Sequence, residues 1–117
     1  MLKSLPDLIQ EVAGHVRAVD VRTAREEARE NGGLIIDVRE PPEVAEQASP
    51  GTVAIPRGVL EVKLPELVSE PSRPLYLHCA SGGRARLSAE QLQRMGYENV
   101  TAISCGIETV CDVLSDG

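Results

Sequence analysis

Cys79 ends an apolar run, Leu75-Tyr76-Leu77-His78, and is followed by Ala80-Ser81-Gly82-Gly83-Arg84, residues that suit neither a strand nor a helix interior. A helical pattern then opens at Ala85-Arg86-Leu87. A thiol between a strand and a helix, on a Gly-rich turn, lies where successive backbone N–H groups converge. Such a nest, backed by the positive end of a helix dipole, binds anions and favours a thiolate. Gly82 and Gly83 let the turn reach positive φ. Arg84 adds a fixed charge near the sulfur, with Arg86 a weaker second candidate. The pattern is that of a nucleophile in an anion cradle.

The elements that must position this thiol alternate. Ser4 caps a short helix whose Leu5, Leu8, Ile9 and Val12 share one face and which stops at Gly14. We read residues 1–15 as an N-terminal helical appendage packed across the domain, and residues 16–117 as the domain itself. A weak strand at 16–19 leads to Asp20, which caps a charged helix through Glu30 with only Ala24 and Ala28 facing inward. Asn31-Gly32-Gly33 ends it. Leu34-Ile35-Ile36-Asp37-Val38 is a near-continuous apolar run, which suits a parallel strand buried on both faces. Pro41, Pro42, Pro50 and Pro56 break the next segment too often for long elements, leaving a short strand at 52–55. Residues 59–68 read as a helix interrupted at Pro65. Beyond Cys79 a helix runs over 84–95 to Gly96, offering Leu87, Leu92 and Met95 to the core. Residues 100–103 form the last strand, and Ile107, Val110, Cys111 and Leu114 mark a closing helix. Strands alternating with helices predict a parallel α/β sandwich, in which ligands bind at the carboxyl ends of strands, where Cys79 falls.

The composition bounds the function. A chain of 117 residues builds one domain. With no Trp or Phe and only Tyr76 and Tyr97, its core must be aliphatic. A net charge of −6 without a dense basic run argues against nucleic acid. In so acidic a chain the paired Arg84 and Arg86 point to a small anionic substrate. No apolar run reaches the length of a membrane span, and the N-terminus lacks a signal-peptide pattern. Three cysteines without framework spacing fit a reducing, cytoplasmic setting. They also lack the close Cys pair of a zinc site.

Four residues separate Cys79 from Arg84. A cysteine-phosphatase loop needs one more to wrap a whole phosphoryl group, and the residue standing there is Ala85. The smaller ring suits a sulfur atom carried on Cys79. With this loop, the segment Leu34-Ile35-Ile36-Asp37-Val38-Arg39-Glu40 with Glu43, Pro50-Gly51 with Ile55-Pro56, Arg94-Met95-Gly96-Tyr97, and Gly106-Ile107-Glu108, the chain resembles the single-domain rhodanese (thiosulfate sulfurtransferase-like) family over roughly residues 16–115. The resemblance implies a rhodanese-like three-layer α/β sandwich, with a mainly parallel sheet of about five strands and helices on both faces. It also implies a sulfur relay without metal or organic cofactor. Cys79 would take sulfane sulfur from thiosulfate or a persulfide and pass it to a thiol or protein acceptor. The N–H groups of Ala80, Ser81, Gly82, Gly83 and Arg84 would stabilise the persulfide anion, and Arg84 would steer the donor. Asp37 and Arg39 would fix the loop from behind, and Arg57 and Glu61 would stand near the pocket mouth.

The sequence departs from that family's pattern where Gln47-Ala48-Ser49 replaces Gly-His-Ile, where Ala54 replaces Asn, where Cys105-Gly106 replaces a Gly pair, and at Val110, where Trp is common. The departures at Ala48 and Val110 permit a second reading, a non-catalytic persulfide-carrying or regulatory module; a phosphatase or arsenate-reductase-like enzyme on the same scaffold is a third, disfavoured by the loop count. His78 reads as a packed or hydrogen-bonded residue, His15 as exposed, and Cys111 as core. Cys105, at the same sheet edge as Cys79, is a candidate resolving thiol that accepts sulfur or forms a disulfide.

Overall fold

The apolar runs at 34–38 and 75–78 lie side by side near the centre of a parallel sheet, buried on both faces as their composition requires. The computed structural model describes residues 1–116. Its strands are β1 (Arg17–Val19), β2 (Leu34–Asp37), β3 (Val53–Ala54), β4 (Leu75–His78) and β5 (Val100–Ile103), in the order β1-β5-β4-β2-β3 with every pairing parallel. The helices are α1 (Leu5–Ala13), α2 (Val21–Asn31), α3 (Pro41–Glu46), α4 (Leu60–Leu67), α5 (Gly83–Met95) and α6 (Ile107–Ser115), with a short 3₁₀ turn over Arg57–Val59.

Two apolar clusters define three layers. On one face of the sheet Val12 of α1, Leu60 and Leu64 of α4, and Ala85, Ala89 and Leu92 of α5 pack against Ile36, Leu75, Leu77 and Ala102. On the other, Val21 and Ala24 of α2 with Val110 and Val113 of α6 cover Ile35, Tyr76 and Ile103. The expected α/β architecture is thus the observed one. Among the described residues no helix is long and apolar enough to cross a membrane.

The caps act where the sequence placed them. Ser4 Oγ accepts from the Asp7 N–H and Asp20 Oδ1 from the Thr23 N–H, so both helices start on a satisfied donor. Gly96 ends α5 at φ 111°, a conformation that favours glycine.

Several local expectations are corrected. The proline-broken segment after β2 holds no long element, as expected, but it does hold the six-residue α3, because Pro41 and Pro42 fall in its first turn, where no N–H partner is required. Pro65 does not interrupt α4: it removes one interior bond, and the Val68 N–H still reaches the Leu64 carbonyl at 2.7 Å. Met95 is 45 % exposed, and α5 instead buries the small residues Ala85, Ser88 and Ala89 against the sheet. The first turn of α1 leaves Leu5 and Leu8 exposed, while Ile9 and Val12 seat the helix on α5. Val21 joins Ala24 on the buried side of α2.

Candidate active site

β2, β4 and β5 end almost level, because Asp37 pairs in register with His78 and Leu77 with Ala102. Cys79, Arg39 and Ser104 therefore emerge at one edge of the sheet. Cys79 is fully buried, and its Sγ accepts the Gly82 N–H at 3.0 Å and the Ala85 N–H at 3.4 Å. Of the amides of residues 80–84 expected to converge, only that of Gly82 reaches the sulfur among the described residues, and the second donor, Ala85, lies one position beyond that stretch. Gly82 makes the turn possible at φ 98°, whereas Gly83, expected to share that conformation, has no positive φ because it already starts α5. The Ala80 carbonyl accepts the Ile107 N–H at 3.0 Å, which ties the loop to the start of α6. Ser81 is exposed, and its hydroxyl makes no hydrogen bond among the described residues.

Arg84 does not reach freely into the loop. Its two terminal nitrogens donate to the two carboxylate oxygens of Glu43 at 2.6 and 2.9 Å. Glu43 Oε1 also accepts the Glu40 N–H at 3.0 Å, in the first turn of α3. These contacts, Arg84 foremost, hold the Glu43 carboxyl down to about 2, and the same pairing raises the Arg84 guanidinium above its ordinary value.

Asp37 and Arg39 form the layer behind. The Arg39 guanidinium binds Asp37 through Nε at 3.0 and 3.2 Å and through Nη2 at 2.8 Å, with both side chains almost wholly out of solvent. Its remaining donors reach the Gln47 carbonyl at 2.7 Å and the Glu43 carbonyl at 3.4 Å. Asp37 chiefly, by these hydrogen bonds, raises the Arg39 pKa. A continuous line of contacts thus runs from β2 through Asp37 and Arg39 into α3, through Glu43 to Arg84, and so to the loop. In the sequence Glu43 stands out only within the family pattern, not as the residue that clamps Arg84. Its local signal was Glu40-Pro41-Pro42-Glu43, a helix start with an acid three residues in.

His78 is packed and hydrogen-bonded, as expected. Its Nε2 lies 2.9 Å from Ser49 Oγ, which in turn lies 2.7 Å from Thr52 Oγ1, and Asp37 stands 3.9 Å away. Burial is the main cause lowering its pKa, which favours the neutral ring. Ser49 fills part of the corner altered by Gln47-Ala48-Ser49. Cys111 is core, and its thiol points to the Ala48 carbonyl at 3.6 Å.

Cys105 and Cys79 are not brought together. Cys79 belongs to the apolar cluster beneath α5, whereas Cys105 packs with the cluster under α2 and α6 on the other face of the sheet. Its Sγ accepts the Val21 N–H at 3.3 Å. Arg57 sits in the 3₁₀ turn, held by its N–H on the Val38 carbonyl at 3.1 Å, and Glu61 in the first turn of α4. Neither side chain forms an ion pair among the described residues. A cleft of about 610 Å³ lined by Arg39, Glu43, Glu46, Gln47, Ala80 and Ile107 opens beside the loop.

A thiol one residue past the end of β4, accepting two amides of its own loop, stands at the carboxyl edge of a five-stranded parallel sheet on a three-layer α/β scaffold. Residues 20–112 match the model of the Rhodanese-like domain, and the chain belongs to that family. A sulfurtransferase of Allochromatium vinosum is 27 % identical over 74 residues, which are 63 % of this chain and 67 % of that protein. A putative sulfur carrier protein of Bacillus subtilis is 33 % identical over 73 residues, 62 % of this chain but only 38 % of the relative's length. Among solved structures, a protein of unknown function from Rhodopseudomonas palustris, described as a possible tyrosine phosphatase, shares the fold with a TM-score of 0.82 at 23 % identity, over 96 % of this chain and 92 % of that one.

Proposed function

We propose that the protein is a sulfurtransferase in which Cys79 carries sulfane sulfur from thiosulfate or a persulfide donor to a thiophilic acceptor. The observation that carries this reading is the Cys79 thiol accepting two N–H groups of its own loop, from Gly82 and Ala85. These donors are fixed before any reaction, so they stabilise a thiolate, or the outer sulfur of a persulfide, without reorganising. With thiosulfate, the Cys79 thiolate attacks the outer sulfur and forms a new S–S bond. The bond to the inner sulfur breaks, and its electron pair leaves on sulfite. The negative charge then rests on the persulfide, and an acceptor thiolate or cyanide takes the terminal sulfur and returns the Cys79 thiolate. This sequence calls for no metal or organic cofactor. Three free thiols support a reducing, cytoplasmic setting.

The test is thiocyanate formation from thiosulfate and cyanide, run beside hydrolysis of an aryl phosphate. Cys79→Ala should abolish thiocyanate formation, and mass spectrometry should find one added sulfur on Cys79 of the wild type. Thiocyanate turnover that survives Cys79→Ala refutes the proposal, and aryl-phosphate hydrolysis lost with Cys79→Ala would favour the phosphatase reading. A second reading, a module that stores sulfur for a protein partner, is favoured by the complete burial of Cys79 and by the relative described as a sulfur carrier. Stable loading of Cys79 with poor turnover to cyanide would select it.

A further inference from the structure

The loop's charges are unequally available. Arg39 is buried against Asp37, and Arg84 has both terminal nitrogens on Glu43. To grip a donor, Arg84 would have to release a carboxylate that is also fixed by the Glu40 N–H. Arg86 is different. Its N–H donates to the Gly82 carbonyl at 3.1 Å, one turn into α5, and its guanidinium folds back over Gly82. Nη1 lies 2.9 Å from where a Cβ on Gly82 would stand, on the residue whose N–H binds Cys79 Sγ. The side chain is half-buried and has no acidic partner among the described residues. A partly desolvated guanidinium with unused donors is suited to a planar or tetrahedral oxyanion.

We propose that Arg86, lying unpaired over Gly82, recognises the oxyanion end of the sulfur donor, while Arg84, clamped by Glu43, positions the loop. The inference rests on the reading of Cys79 as a sulfur carrier. It also explains a second demand on Gly82: besides its positive φ, the position must lack a side chain so that the guanidinium can approach the backbone.

The test uses Arg86→Gln and Arg86→Lys, with Arg73→Gln, which removes a charge just before β4 at the opposite end of the sheet, as the control. Two readouts are taken. The first is KM and kcat for thiosulfate. The second is protection of Cys79 by sulfite against iodoacetamide, followed by mass spectrometry; this readout does not require turnover, because sulfite cannot load the thiol. Arg86→Gln should raise both KM and the half-protecting sulfite concentration on the order of 10- to 100-fold, the loss expected of a charge-assisted contact. Its kcat should stay within about a factor of ten, the limit set by one ordinary hydrogen bond. Arg86→Lys, which keeps the charge and the aliphatic stem, should lie between. Unchanged KM and protection in Arg86→Gln, an equal effect from Arg73→Gln, or a wild type that sulfite fails to protect would each overturn the assignment. A wild type that sulfite protects through Arg86 but that never transfers sulfur would instead overturn the sulfurtransferase reading and leave the anion site standing.

Discussion

Arg39→Met should destabilise the protein by about 3–5 kcal/mol, the cost of leaving one member of a buried ion pair without its partner. The arginine is 3 % exposed and its guanidinium makes three hydrogen-bond contacts to the Asp37 carboxylate; the variant keeps only the fourth, from the backbone N–H, so a buried charge loses its counter-charge. It also removes the donor to the Gln47 carbonyl, whereas the Glu43 carbonyl keeps the Gln47 N–H at 3.0 Å. Water can replace the Gln47 contact because that residue is exposed, so the Asp37 charge dominates the cost. Against a total stability of about 5–15 kcal/mol this is a large share. In urea, with a slope of about 1–3 kcal/mol per molar, the midpoint should fall on the order of 2 M. Adding Asp37→Asn to Arg39→Met removes the stranded charge, so the double variant should be more stable than Arg39→Met alone. The cycle thus separates pairing from packing. A loss under about 1 kcal/mol for Arg39→Met, or a double variant as weak as the sum of the singles, would refute the buried-pair argument. The consequence for the site is measurable in the same samples. If Arg39 anchors α3 and thereby the Glu43 clamp, Cys79 in the folded variant should alkylate at a rate different from wild type.

Gly82→Ala should cost roughly 1–3 kcal/mol, because φ 98° strains any side chain and the new Cβ meets Arg86 Nη1 at 2.9 Å and the Ser104 carbonyl at 3.4 Å. Its transfer rate should fall with its melting temperature, whereas Gly51→Ala, strained at φ 71° in open space, should lose stability and keep the rate. Stability should also depend on acid. Glu43 is held down to about 2 from an ordinary 4.5, so its contribution is complete above pH 4.5 and is lost as pH falls from there to about 2. Glu27, bound by Arg17 and Tyr76, is held down to about 2 and titrates in the same window. Both acids are partly exposed, which limits the size of the effect. Urea midpoints measured across that range should flatten in Glu43→Gln and flatten further when Glu27→Gln is added. An unchanged acid slope in both variants would show that neither pair senses pH.

The legible part of this molecule is what the chain settles locally. The strand-thiol-glycine-helix order at 75–87, the Asp20 and Ser4 caps and the two-sided apolar run at 34–38 each depend on neighbours a few residues away, and each appears in the fold. The effect of proline depends on helix position and on packing: it suits the first turn of α3, and it is tolerated inside α4, where the lost bond is offset by the burial of Leu60 and Leu64. The partner of Arg84 was not legible, since Glu43 stands 41 positions earlier and meets it only through the order of β2 and β4.

Cys105 illustrates the same limit most sharply. A strand buried on both faces has no alternation to reveal which way a side chain points, and β5 is buried at every position. The direction follows only from register. Leu77 pairs with Ala102 and shares a face with it; Cys79 lies two residues beyond the first and Cys105 three beyond the second. An even step keeps the face and an odd step reverses it, which agrees with their opposite clusters. A disulfide requires Cβ vectors that converge, so direct exchange between these thiols needs the loop to leave the sheet edge. Mild oxidation of the folded protein should therefore give no Cys79–Cys105 bridge, as read by mass spectrometry of the non-reduced digest. A rapid bridge would mean that the 79–85 loop opens far more readily than its two sulfur-directed amides and its tie to Ile107 imply.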